Sequence, residues 1–212
     1  KVIALEIDRG LAETARQVCR DLPVEVIHTD VLEADPTAWS PAPTVVIGNL
    51  PYYLTAPIVE RLVEWKEGAK LPLRRAILMV QREVADRMTA APGGKTFGSF
   101  SVFVQFWMEV VRVCVVPPGA FFPPPEVGSA VVALTFRERP IPVKETAWFF
   151  EVVHAAFHQR RKMLRQSLRP LWEKRPLSRT VEEVCERAGI PSTWRPEQVG
   201  VEGFARLADE MM

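Results

Sequence analysis

Four short apolar runs, punctuated by polar residues and helical patterns, restrict this chain more than any other feature. Residues 2–5 are followed by Glu6-Ile7-Asp8, and then Leu11, Ala15, Val18 and Leu22 recur at helical spacing, with Asp8 placed as the N-cap. Residues 24–28 form a second run, ending at Thr29-Asp30, and residues 33–43, with three prolines, read as a loop. The third run, residues 44–47, is β-branched without polar alternation, the pattern of a strand buried on both faces of a parallel sheet. A helix over 56–65 follows, then a fourth strand over 76–80 and a helix over 81–88. Strand alternating with helix predicts a doubly wound α/β sheet.

Composition sets the outer limits. With 212 residues, 48% of them hydrophobic, the chain can bury one large core, or one core plus a small one. No apolar run approaches the roughly 20 residues of a membrane span, and the first residues read as a strand, not a signal peptide. Cys19, Cys114 and Cys185 are odd in number and far apart, which predicts reduced thiols in a cytoplasmic protein. His28, His154 and His158 form no metal-ligand spacing with them.

Chemistry concentrates where the third strand ends. Gly48 permits close approach of another backbone or a ligand, and Asn49-Leu50-Pro51-Tyr52 follows at the carboxyl end, where open α/β sheets bind ligands. Asn49 offers a carbonyl acceptor, and Pro51 holds Leu50 extended, so that the Leu50 carbonyl stays outside any helix ladder. Tyr52 supplies a flat face. Two acceptors beside an aromatic plate suit the exocyclic amine of a nucleobase turned out of its stack. Glu6 occupies the strand-end position from which a carboxylate accepts from ribose hydroxyls, and Asp30 ends the next strand, suited to an adenine amine. The glycine-rich loop of such a unit belongs about 20 residues before the acid. The only glycine pair, Gly93-Gly94, lies downstream, so the chain reads as lacking a first strand and its loop. That strand would be a central neighbour, which predicts disorder or rearrangement over residues 1–32.

Downstream, residues 102–107 are apolar throughout and fit either a helix or a strand, while 110–116 and 130–136 read as strands. Between those strands lie Phe121 and Phe122 among five prolines, a stiff loop that holds a ring at little entropic cost. One of these rings is placed to face Tyr52. Residues 137–142 change composition and mark a domain boundary, giving 1–139 and 140–212. In the second part, Val153, Ala156, Phe157 and Leu164 share one face of a helix counted from Phe149. His158, Arg161, Lys162, Arg165 and Arg169 share the other, with Arg160 near the apolar edge. Only Glu173 opposes the cations Arg160 to Lys162, Arg165, Arg169, Lys174 and Arg175, the footprint of a phosphate backbone. Helices near 180–188 and 201–210 complete a small bundle.

Taken in order, these pieces resemble the rRNA adenine N6,N6-dimethyltransferase family, and within it the small-subunit, kasugamycin-sensitivity branch. The matching residues are Glu6-Ile-Asp8, Asp30, Asn49-Leu-Pro-Tyr52, Gln81-Arg-Glu-Val84, Gly98-Ser-Phe-Ser-Val102, the segment from Phe121 to Val132, and Phe157-His-Gln-Arg-Arg-Lys162. The resemblance implies a Rossmann-like methyltransferase sheet with a small C-terminal α-helical domain that binds RNA. It implies S-adenosylmethionine along the strand ends, with Glu6 on its ribose, Asp30 near its adenine amine, Ile7 and Val31 as apolar walls, and Asn49 adjoining. It further implies a target adenine between Tyr52 and Phe121, its amine held by Asn49 and the Leu50 carbonyl. Arg160, Arg161, Lys162, Arg165 and Arg169 would meet ribosomal RNA in the immature small subunit. No metal or membrane is implied, and the protein would act as a cytoplasmic monomer. Three alternatives differ in class: a DNA amino-methyltransferase, the erythromycin-resistance branch acting on large-subunit RNA, and a non-catalytic ribosome-assembly factor. The Phe121–Pro125 loop and the basic helix lean against the first, Leu50 and the Gln159–Lys162 run against the second.

Overall fold

A computed structural model describes residues 1–138, 140–174 and 179–212. The chain runs β1 (Val2–Glu6), α1 (Arg9–Val18), β2 (Val24–His28), β3 (Val45–Asn49), α2 (Thr55–Val63), β4 (Arg75–Gln81), α3 (Arg82–Met88), α4 (Ser99–Trp107), β5 (Met108–Val116) and β6 (Ser129–Phe136). Helices α5 (Thr146–His158), α6 (Leu164–Ser167), α7 (Arg169–Lys174), α8 (Val181–Arg187) and α9 (Val201–Glu210) follow.

The expected α/β alternation is present. Asp8 caps α1, its carboxylate accepting from the Leu11 N–H at 2.8 Å. β1 and β2 pair in parallel, and β3-β4-β6-β5 form a separate four-stranded sheet, parallel at β3–β4 and antiparallel at β4–β6 and β6–β5. Residues 2–28 form a β–α–β unit whose two strands pair apart from the four-stranded sheet.

Two expectations of burial fail for the same reason. β3 ends the order of its sheet, so Val45 and Ile47 are 48% and 78% exposed, not covered on both faces. The helical spacing of Leu11, Val18 and Leu22 is real, but all three lie exposed, and Ala12 is the buried residue of α1. β-branched and apolar composition marks a side chain suited to packing, and whether a partner surface covers it is decided by the neighbouring elements. The covered centre of the sheet is β4–β6, where Ala76, Leu78, Val80, Ala130, Val132 and Leu134 are fully buried.

The ambiguous apolar segment 102–107 is helix α4, and its position explains its composition. Phe100 and Val104 face the sheet core, whereas Val102 and Phe106 join a second core built from α5 to α9. A helix buried on opposite sides is apolar all round. Ser101 and Gln105 dock it onto α3: Ser101 Oγ donates to the Arg87 carbonyl at 2.6 Å, and the Gln105 amide donates to the Met88 and Ala90 carbonyls. These bonds tie α4 to the carbonyls at and just beyond the end of α3.

The basic helix is not continuous. α5 stops at His158, with Gln159 at φ −115°, ψ 53°. Arg160 turns away and donates to the Phe97 carbonyl at 3.0 Å and to the Lys95 carbonyl. The N–H groups of Leu164 and Arg165 then donate to the Trp194 and Ser192 carbonyls, at 2.8 and 3.1 Å, in place of a helical ladder. Tertiary partners captured the backbone donors that a single helix needs. Of the expected footprint, Arg175 and the side chains of Glu173 and Lys174 fall outside the described residues.

Cys185 is fully buried in α8, and desolvation pushes its thiol up to about 11. Since the thiolate is the nucleophile, native protein at pH 8 is expected to alkylate at exposed Cys114 well before Cys185. Peptide mass mapping after a short pulse checks this, and equal labelling of the two would contradict the packing of α8.

Candidate active site at the rim of the sheet

Asn49 is the last residue of β3, in parallel register with Met79. Pairing continues one step further, the Leu50 N–H donating to the Met79 carbonyl at 3.2 Å. Pro51 (φ −58°, ψ 127°) then directs the chain into a single turn over Tyr52–Leu54, and α2 begins. Neither the exposed Asn49 amide nor the Leu50 carbonyl has a hydrogen-bond partner among the described residues. Gly48 leaves room for the Leu50 side chain: a Cβ there would lie 2.8 Å from Leu50 Cδ2, which would have to shift.

Tyr52 is half-buried, and its hydroxyl lies 2.7 Å from Ser129 Oγ. Tyr53 is 82% exposed and Phe122 99%, which leaves half-buried Phe121 as the more covered ring of its loop. The register brings that loop to Asn49. β6 runs antiparallel to β4 with Ser129 opposite Gln81, so residues 117–128 emerge at the carboxyl ends of β3 and β4. The Arg82 N–H clamps the loop by donating to the Gly128 carbonyl at 2.9 Å.

Glu6 and Asp30 end neighbouring strands. The Thr29 N–H donates to the Glu6 carbonyl at 3.0 Å, and His28 Nε2–H to the Ile7 carbonyl at 2.9 Å. Each carboxylate orients itself by one local bond: Glu6 accepts from the Asp8 N–H and Asp30 from the Leu32 N–H, both at 2.8 Å. The second oxygen of each accepts from no group among the described residues. Ile7 is 65% exposed beside them, and Val31 is half-buried against the sheet core.

Among the expected RNA contacts, Arg160 is committed to the protein, its Nε also 3.9 Å from the Glu197 carboxylate. Arg161, Lys162, Arg165 and Arg169 are exposed and form no ion pair among the described residues. Sequence reasoning missed a cleft of about 380 Å³ at Arg160, lined also by Glu83, Arg87, Lys95, Thr96, Gly98, Ser99 and Phe157. The Arg87 guanidinium sits 5.4 Å from the Phe100 ring centroid, which fixes one cation in its wall. Ser129 was missed as well, although a serine opening an otherwise apolar strand is a signal of its own.

A mixed sheet whose rim presents two unpartnered acceptors beside an aromatic turn, with carboxylates at the ends of a separate parallel strand pair, is the architecture of Rossmann-like methyltransferases. The ribosomal RNA adenine dimethylase family profile matches residues 1–190. The chain belongs to that family. Relatives named ribosomal RNA small subunit methyltransferase A are 40% identical in Bacillus licheniformis (all of this chain, 74% of the relative) and 41% identical in Ruegeria sp. strain TM1040 (98% and 72%). Among solved structures, a dimethyladenosine transferase from Plasmodium falciparum superposes with TM-score 0.81 at 22% identity, covering 98% of this chain and 80% of that one. The 23S rRNA methyltransferase ErmE gives 0.73 at 27% identity, over 100% and 82%.

Proposed function

We infer that the protein transfers methyl groups from S-adenosylmethionine to the N6 amines of adenines in small-subunit ribosomal RNA during ribosome biogenesis, in the cytoplasm. The observation that carries this reading is the pair of unpartnered acceptors, the Asn49 amide and the Leu50 carbonyl, on the rim beside Tyr52. Greater identity to small-subunit enzymes than to ErmE supports the choice of RNA.

Glu6 and Asp30 fit the cofactor, because each retains an acceptor oxygen at a strand end once its local bond is made. Glu6 would hold the ribose hydroxyls and Asp30 the adenine amine, with Ile7 and Val31 as walls. S-adenosylmethionine supplies an electrophilic methyl group on a sulfonium. Tyr52 and Phe121 hold the target base flat between them. Asn49 Oδ1 and the Leu50 carbonyl accept from the two amine hydrogens, which draws the conjugated nitrogen toward a pyramidal geometry with its lone pair free to attack. No strong base is needed, since the nitrogen becomes acidic only as the new bond forms. Residues 140–212 act as the RNA-binding part, through Arg161, Lys162, Arg165 and Arg169, with Arg160 bracing the turn that displays them.

The test is tritium transfer from labelled cofactor to immature small subunits, large subunits and duplex DNA. Label is expected in small-subunit adenines. Arg161→Gln combined with Lys162→Gln is expected to weaken particle binding about tenfold and to lower the salt-dependence slope by about two. Label confined to large subunits or DNA would reassign the substrate, and its absence everywhere would make the chain a binding factor.

A further inference from the structure

We propose that Ser129 is a positioning residue for methyl transfer, acting through the Tyr52 hydroxyl to fix the angle of the base-binding ring. Ser129 is fully buried at the start of β6, where its backbone is held between Gln81 of β4 and Val116 of β5. Its Oγ meets the Tyr52 phenol oxygen at 2.7 Å across 77 residues of sequence.

Tyr52 is therefore held at both ends. Its carbonyl accepts from Thr55 Oγ1 at 3.2 Å, which secures the backbone at the start of α2. Its hydroxyl is secured to the sheet. A ring attached only through Cβ turns about two side-chain torsions, and a ring pinned at its far end does not. Stacking alone needs no hydroxyl, so a phenylalanine would serve at position 52 unless orientation mattered. Ser129 also closes the loop that carries Phe121, since residues 117–128 return directly into it. One residue thus sets the pose of one ring through its hydroxyl and ends, through its backbone, the loop that carries the other. The bond also satisfies two hydroxyls that would otherwise lie unpaired at the edge of an apolar core.

This inference rests on Tyr52 being one plate of the adenine slot, so the experiment separates the two claims. The whole chain is assayed on immature small subunits as Ser129→Ala, Tyr52→Phe, the double variant and Tyr52→Ala, reading kcat, KM and Tm. Ser129→Ala and Tyr52→Phe are each expected to lower kcat about tenfold with KM changed less than about twofold. The double variant is expected to lose about tenfold again in total, not about a hundredfold, because both changes break one bond. An unchanged kcat in Ser129→Ala, a multiplicative loss in the double variant, or a loss confined to KM would each overturn the proposal. Should Ser129→Ala fail to fold, Tyr52→Phe removes the same bond from the half-buried side, and wild-type kcat there overturns it equally. Transfer that survives Tyr52→Ala removes the plate itself, and the inference with it. Transfer lost in Tyr52→Ala but intact in Ser129→Ala overturns only the role of Ser129.

Discussion

Asn49→Ala is expected to lower single-turnover methyl transfer by at least about a hundredfold while leaving the melting temperature within about 2 °C. The two halves of this expectation have separate causes. Asn49 is exposed at the end of an edge strand, and its amide bonds to nothing among the described residues, so its removal breaks no structural contact. Surface substitutions of that kind usually stay within about 0.5 kcal/mol. In the reaction the same amide is one of two acceptors aimed at the target amine. Its loss leaves the nitrogen planar and conjugated, with only the Leu50 carbonyl to draw it out of plane. Backbone cannot be deleted by mutation, which makes Asn49 the testable half of the pair. Near-normal turnover of Asn49→Ala would remove the residue from the chemistry. A large drop in melting temperature would instead make it structural.

Phe106→Ala carries the largest expected effect on stability. The ring is fully buried, stacked on Phe149 at 4.6 Å, and in edge contact with Trp107 at 4.8 Å and Phe150 at 5.2 Å. Truncating such a side chain costs about 3–5 kcal/mol, the sum of lost transfer energy and the cavity left behind. For a chain of this length the melting temperature should fall by roughly 10 °C or more. The effect should not stay within the helical core. Phe106 shares α4 with Phe100 and Val104, which pack into the sheet, so a cavity on one side loosens the support of the other. Hydrogen exchange is expected to quicken in β4 and β6 as well as in α5. Acceleration confined to α5–α9 would show that the two cores unfold independently.

Local chemistry made much of the fold legible. Asp8 was readable as a cap because a short carboxylate before a helical pattern accepts from the backbone three residues on, wherever the helix finally packs. The end of β3 was readable because Pro51 fixes its own φ and holds Leu50 before it extended. Glu6 and Asp30 could be assigned to one edge because parallel strands end at the same rim. Surroundings were not legible. Ile47 carries the side chain of a buried strand and is 78% exposed. The apolar run of α4 fitted two periods equally, and only the presence of a core on each side distinguishes helix from strand. Periodicity continued the basic helix beyond His158, but the Trp194 and Ser192 carbonyls took the donors that would have continued it.

The sequence by itself determined the alternation of strand and helix, the turn that carries Asn49 and Tyr52, and membership of a family that modifies ribosomal RNA, because these depend on residues adjacent in the chain. The tertiary structure alone decided that Tyr52 is tied to Ser129, that Arg160 braces a turn, and that one apolar helix serves two cores. Those outcomes depend on which surfaces meet, and a hydrogen bond or a packed ring joins groups by distance in space, to which position along the chain is no guide.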